Sequence, residues 1–213
     1  MKKGKKIKSI IAGVSVAAVV GVAGIVAYFT DTATVTNHAT MGIVDIDLQE
    51  YTLDSNGRKV AWVDKTNVLP GDTISKIAEI NVVDGAADCY VRAKVEISCK
   101  DEDLADDSKM LTLSNLNVNS TDWYYCANDG YFYYKTILKS GDSPITLFSE
   151  VTIPNNLDNA WSLEEFNIDV TAEAIQSKNF TPNFSAGSTA PWPGITPADI
   201  EECVYPTHIK YND

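Results

Sequence analysis

Histidine is nearly missing from this chain. Among 213 residues there are only His38 and His208, close to opposite ends. A zinc hydrolase of the His-Glu-x-x-His type needs two histidines one helical turn apart, and that spacing does not occur. Neither a Gly-x-Ser-x-Gly elbow nor a glycine-rich phosphate loop is present. Two isolated histidines read as surface residues, so no catalytic residue, no metal and no cofactor is expected. Cysteine is confined to Cys89, Cys99, Cys126 and Cys203, with no Cys-x-x-Cys pair, which removes support for a zinc or dithiol centre. Basic residues are also scarce: 17 Lys and Arg stand against 29 Asp and Glu. Phosphate binding needs clustered positive charge, so a nucleic-acid partner is excluded. No long stretch has the 3.6-residue apolar period of an amphipathic helix.

The one long apolar run covers residues 10–27. It carries no charge and follows five lysines with no acid among them. A basic segment followed by an apolar one is the layout of a secretory signal. Ala27 is small, as the position before a cleavage site requires, and Ile25 two residues earlier is apolar. The expected cut therefore falls between Ala27 and Tyr28, made by a signal peptidase during export. Two other readings compete. An uncleaved membrane anchor needs roughly twenty apolar residues, and this run is close to that length. A type IV prepilin would carry a Gly-Phe cleavage site with a Glu shortly beyond, and none is present. Removing residues 1–27 leaves 186 residues with 12 basic and 29 acidic side chains, a balance of −17. That length favours one domain with a sizeable core. The charge suits an exported protein kept apart by self-repulsion.

The body of the chain reads as strand after strand. In residues 41–51, Val44, Ile46 and Leu48 alternate with Asp45, Asp47 and Gln49, the period of a half-buried strand. Asp54-Ser55-Asn56-Gly57 carries the Asn-Gly hairpin signal, and residues 59–64 can return as a strand. Leu69-Pro70-Gly71-Asp72 is a second turn before a strand at 73–83. Val91, Ala93, Val95 and Ile97 alternate with Arg92, Lys94 and Glu96 in a strand at 89–99. Residues 100–122 are acidic, then polar, and read as an insertion with a short helix over 103–113. Asn128-Asp129-Gly130 joins strands at 123–126 and 131–137. Strands at 144–153 and 166–175 follow, separated by a loop with one helical turn. Pro197 opens a short helix over 197–203. About eight strands with no long helix predict an all-β sandwich or barrel. Residues 28–176 form that domain. Residues 177–213 lack alternation and form a C-terminal extension that either packs on the sandwich or moves freely.

Other features have ordinary readings beside more specific ones. Four cysteines in an exported chain allow two disulfides in three connectivities, or four free buried thiols. Cys89 and Cys99 stand at the two ends of one strand, roughly 33 Å apart if it is extended, so they do not pair with each other. The acids Asp101, Glu102, Asp103, Asp106 and Asp107 lack the ligand spacing of a calcium loop and read as a solvated face. The aromatics Trp123, Tyr124, Tyr125, Tyr131, Phe132, Tyr133 and Tyr134 read as core on one hairpin face and cross-strand pairs on the other, rather than as a carbohydrate platform. Sequons at Asn119, Asn179 and Asn183 carry little weight in a bacterial export.

Three segments resemble a known family. Ala27-Tyr28-Phe29-Thr30-Asp31, followed by Asn37 and Gly42, resembles the signal and start of the TasA/camelysin (CalY) family, which a specialised signal peptidase, SipW, processes. Leu69-Pro70-Gly71-Asp72-Thr73-Ile74-Ser75-Lys76 resembles the family's Pro-Gly-Asp turn and the strand it opens. Val170-Thr171-Ala172-Glu173-Ala174-Ile175-Gln176 resembles its last core strand. The resemblance implies a jelly-roll-like β-sandwich, secretion to the matrix or surface of a bacterium, and self-assembly into biofilm-matrix fibres. It implies donor-strand exchange, with the N-terminal segment of one subunit completing a sheet of the next. The donor would be residues 28–36, where Tyr28, Phe29, Ala33 and Val35 supply the apolar positions and Thr30, Thr34 and Thr36 the polar ones. An ordinary first strand paired within its own subunit is the plainer reading of that segment. Partners are then a second copy, the signal peptidase, and other matrix or cell-wall components. The resemblance also brings a metallopeptidase as a rival, and a surface binding module or adhesin remains a further alternative.

Overall fold

Period-two burial dominates the structure, a computed structural model that describes residues 43–161, 164–205 and 208–210. Among the described residues ten strands form: β1 (Ile46–Leu53), β2 (Lys59–Ala61), β3 (Thr73–Val82), β4 (Cys89–Cys99), β5 (Trp123–Cys126), β6 (Tyr131–Tyr134), β7 (Ile145–Thr152), β8 (Glu165–Gln176), β9 (Glu201–Tyr205) and β10 (His208–Lys210). One antiparallel sheet has the order β2-β1-β3-β7. The other has the order β10-β8-β4-β6-β5, with β9 also on β8. The chain is an all-β sandwich, as the strand pattern predicts.

Alternation explains the core. Ile46 and Leu48 of β1, Ile74, Ala78, Ile80 and Val82 of β3, and Leu147 and Val151 of β7 turn inward from one sheet. Val91, Ala93 and Val95 of β4 and Ile168, Val170, Ala172 and Ala174 of β8 meet them from the other. Each fully buried Val, Leu or Ile contributes roughly 1.5–3 kcal/mol relative to exposure. Trp161, from a 3-10 turn at Asn159–Trp161, stacks on Phe166 with ring centres 5.3 Å apart and closes one end. Turn chemistry sets the hairpins. Between β1 and β2, Asp54 accepts from the backbone N–H groups of Asn56 and Arg58, and Gly57 takes the left-handed conformation at φ 73° that suits glycine.

Three expectations need correction. The helix over 103–113 does not form. Its region holds separate 3-10 turns at Glu102–Leu104 and Leu113–Asn115, because Asp101, Asp107 and Asn115 bind nearby backbone N–H groups and favour turns over helix. The helix over 197–203 stops after one 3-10 turn, Pro197–Asp199, and Cys203 belongs to strand β9. Sheet pairing with β8 outweighs the helix-start signal of Pro197. The first strand begins at Ile46 rather than at 41, and positions 41 and 42 lie outside the described residues.

Residues 177–200 cross the outer face of the second sheet and bury it. Phe180, Phe184 and Trp192 pack on Tyr90, Tyr124, Tyr133 and Ile175, making a second apolar cluster. Alternation in β8 fails there for this reason: Glu173, Ala174 and Ile175 are buried in succession, one face under the core and the other under the extension.

Candidate strand-addition site

A sandwich has strand edges, and each must be short, blocked or covered if the chain is not to pair with others. In the first sheet, β2 is three exposed residues long. At the opposite edge of that sheet, β7 is blocked by side chains. The Trp123 indole N–H donates to the Thr146 carbonyl at 2.9 Å. The Asn117 amide oxygen accepts from the N–H groups of Ser149 and Glu150 at 2.8 and 2.9 Å, and Leu116 bridges Val151. A groove of about 410 Å3 lies beside Ser143–Ser149, lined also by Asn117, Asn119, Asp122 and Tyr134. In the second sheet, β5 has four residues, and the extension braces it: Tyr124 donates to the Ser188 carbonyl at 3.1 Å and Asn128 to that of Thr189 at 3.2 Å.

The remaining edge is the long one. β8 spends one side on β4, in eleven consecutive pairs from Cys89↔Gln176 to Cys99↔Phe166. Its other side faces β9 and β10. The pairs Ala174↔Glu201 through Val170↔Tyr205 and Asn167↔His208 through Glu165↔Lys210 share one register, so the C-terminal extension ends as a single interrupted strand along β8. Cys203, opposite Ala172, packs inward against the core.

A polar network lies on the outer face of this edge. Arg92 donates from Nε to Glu173 at 2.7 Å, and a second guanidinium nitrogen lies 2.5 Å from the same oxygen. Tyr131 donates to the other Glu173 oxygen at 2.6 Å, and Tyr133 to Asp129 at 2.7 Å. The guanidinium stacks between the rings of Tyr131, at 4.0 Å, and Trp192, at 4.9 Å. Burial, reinforced by the Glu173 carboxylate, pushes the Tyr131 phenol up to about 12. Burial and the bond to Asp129 raise Tyr133 as well. Phenols held in the protonated form are poor nucleophiles, and the network acts as a clamp that fastens the extension to the sheet through Trp192.

The cysteines are free thiols. Burial, with Asp88 nearby, pushes Cys89 up to about 12, and burial with Glu164 raises Cys99. Neither is an activated nucleophile. Among the described residues no cluster of His, Cys, Asp and Glu is arranged to hold a metal. Asp101 and Asp107 cap local turns, and Glu102, Asp103 and Asp106 are exposed, as on a solvated face. Ala27, Tyr28, Phe29, Ala33 and Val35 lie outside the described residues, as does His38. His208 sits in β10. The aromatic hairpin divides as expected between core (Trp123, Phe132) and pairing, with Tyr125 and Phe132 rings 4.8 Å apart. Tyr133, however, belongs to the cluster under the extension.

Sequence reasoning missed the edge strand 201–205. Its short run Cys203-Val204-Tyr205 follows Pro197 and two glutamates, and the stronger helix-start signal masked it. Arg92 and Glu173 were also missed as partners, although register pairs them directly once β4 and β8 are aligned. Compared with protein-family models, with curated proteins and with solved structures, the chain finds no match in any of the three.

Proposed function

We propose that this protein is an exported structural subunit that self-assembles into extracellular fibres of a bacterial biofilm matrix by strand addition. The segment at residues 28–36 of one copy would pair its backbone with a sheet edge of the next, its alternate side chains filling pockets along that edge. The observation that carries this reading is the outer edge of β8. It belongs to the longest strand of the sandwich, and only a separate terminal stretch of the chain lies along it. The basic and apolar start of the sequence supports export, and the resemblance of residues 27–31, 69–76 and 170–176 to the TasA/camelysin family supports a matrix role. Signal peptidase is then a partner during export, and other matrix or cell-wall components are partners after it.

Electron microscopy of the chain beginning at Tyr28 tests the proposal. Filaments are expected from that chain, and a folded monomer without filaments from one lacking residues 28–36. Phe29→Ser with Val35→Ser removes two apolar anchors worth roughly 1.5–3 kcal/mol each, so filament yield should fall steeply. Undiminished filaments from the shortened chain would refute donation by this segment. A lowered melting temperature of the monomer in its place would identify residues 28–36 as an internal strand.

A further inference from the structure

We infer that the C-terminal strand β9–β10 is a placeholder on the outer edge of β8, and that residues 28–36 of a second copy displace it. This rests on the strand-addition reading above and names the acceptor edge. Three observations carry it. First, the placeholder covers the stretch Glu165–Ala174 in one register, which spans ten positions, and residues 28–36 come within one residue of that length.

Second, Glu202 stands directly opposite Glu173, a like-charge pair across the strands, which is destabilising. Glu173 already directs its two oxygens to Arg92 and Tyr131. Third, residues 28–36 contain no glutamate. Their threonines at 30, 32, 34 and 36 and Val35 are β-branched and suit a strand. The competing strand therefore removes the facing glutamate. Exchange releases Cys203 from the core and β9 from its contact with β1, while the Trp192 clamp keeps the extension held at 192, ahead of β9.

The register supplies a reversible lock. Ala172 and Cys203 are Cα partners across β8 and β9. Facing positions in an antiparallel pair lie about 4.5–5.5 Å apart, within disulfide reach. Ala172→Cys in the full chain beginning at Tyr28 gives Cys203 a partner, and peptide mapping identifies the bond. The readouts are binding of a fluorescent peptide with the sequence of residues 28–36, and filament growth, each in oxidising and reducing buffer. The unsubstituted chain in both buffers controls for the other thiols. Oxidation of the variant should weaken peptide binding and slow filament growth at least tenfold, and reduction should restore both. In a second variant, Glu202→Lys, attraction to Glu173 replaces repulsion and should lengthen the assembly lag severalfold. Equal binding and growth by locked and reduced protein would overturn the placeholder while leaving self-assembly intact at another edge. Absence of both peptide binding and filaments from the unsubstituted chain would overturn the placeholder and the strand-addition reading together.

Discussion

Replacing Glu50 by Leu should destabilise the fold more than almost any other single change in the first sheet. Glu50 and Lys76 face the core from β1 and β3, both side chains are fully buried, and Lys76 Nζ contacts Glu50 Oε2. Lys76 also lies 4.5 Å from the centre of the Trp62 ring, which shields the pair from water. Attraction between the two charges offsets much of the cost of removing them from solvent. Taking one away leaves the other charge buried against a hydrocarbon, which costs roughly 3–5 kcal/mol. For a chain of this size each kcal/mol moves the melting temperature by about 2–4 °C. The drop should therefore be about 6–20 °C at neutral pH. Glu50→Leu combined with Lys76→Met removes both charges at similar volume and should return close to the parent, or exceed it by up to about 4 kcal/mol.

The same pair predicts a pH dependence. Burial, partly offset by Glu50, lowers Lys76 from 10.5 to about 8. Between about pH 8 and 10.5 the unfolded chain keeps a proton that the folded chain has released, so stability rises with pH across this window. The double variant should lack that rise. Thermal melting monitored by circular dichroism reads both effects. A single Glu50→Leu variant within 0.5 kcal/mol of the parent, or a double variant as unstable as the single one, would refute the reasoning.

Trp192→Ala removes the ring that covers Arg92 and Tyr133 and should cost about 3–5 kcal/mol. Limited proteolysis should then cut first within residues 177–200, and cutting confined to the sandwich loops would contradict the clamp. Tyr131 ionises near 10 when unfolded and at about 12 when folded, so its contribution is complete below pH 10 and is lost as pH rises towards 12. Tyr131→Phe should flatten that part of the alkaline unfolding curve, measured by circular dichroism. N-terminal sequencing of the exported protein should begin at Tyr28, and a chain intact from Met1 would revive the membrane anchor.

What the sequence made legible follows from locality. The alternation of Val91, Ala93 and Val95 or of Ile46 and Leu48 is a property of neighbours along the chain, and it located β4 and most of β1. The turns at Asn56-Gly57, Gly71 and Gly130 are local too, and they placed the hairpins. The buried pair of Glu50 and Lys76 was hidden because a charge on an inward position breaks the pattern, and its compensation comes from another strand. The clamp of Arg92, Glu173 and Trp192 was hidden for a similar reason. It joins β4, β8 and the extension, and only the register reveals it. Local signals misled at 103–113 and 197–203. Spacing suited a helix there, but side-chain capping in one case and a waiting edge in the other decided the outcome.

The two long edges are protected in different ways, and that difference bears on assembly. On β7 the edge groups are occupied by Asn117, Trp123 and Leu116, whose positions are fixed by the body of the sandwich. A strand arriving there must break several side-chain contacts and finds no continuous ladder to replace them. On β8 the protecting group is itself a strand, so an incoming strand exchanges one ladder for another of the same geometry. Breaking and making then nearly cancel, and small differences such as a facing glutamate determine the direction. With one exchangeable edge and one donor segment per subunit, each copy would accept one neighbour and donate to one other. On the proposed mechanism this geometry gives an unbranched fibre. A side-chain block on both edges would give a monomer, and an exchangeable strand on both would give a network.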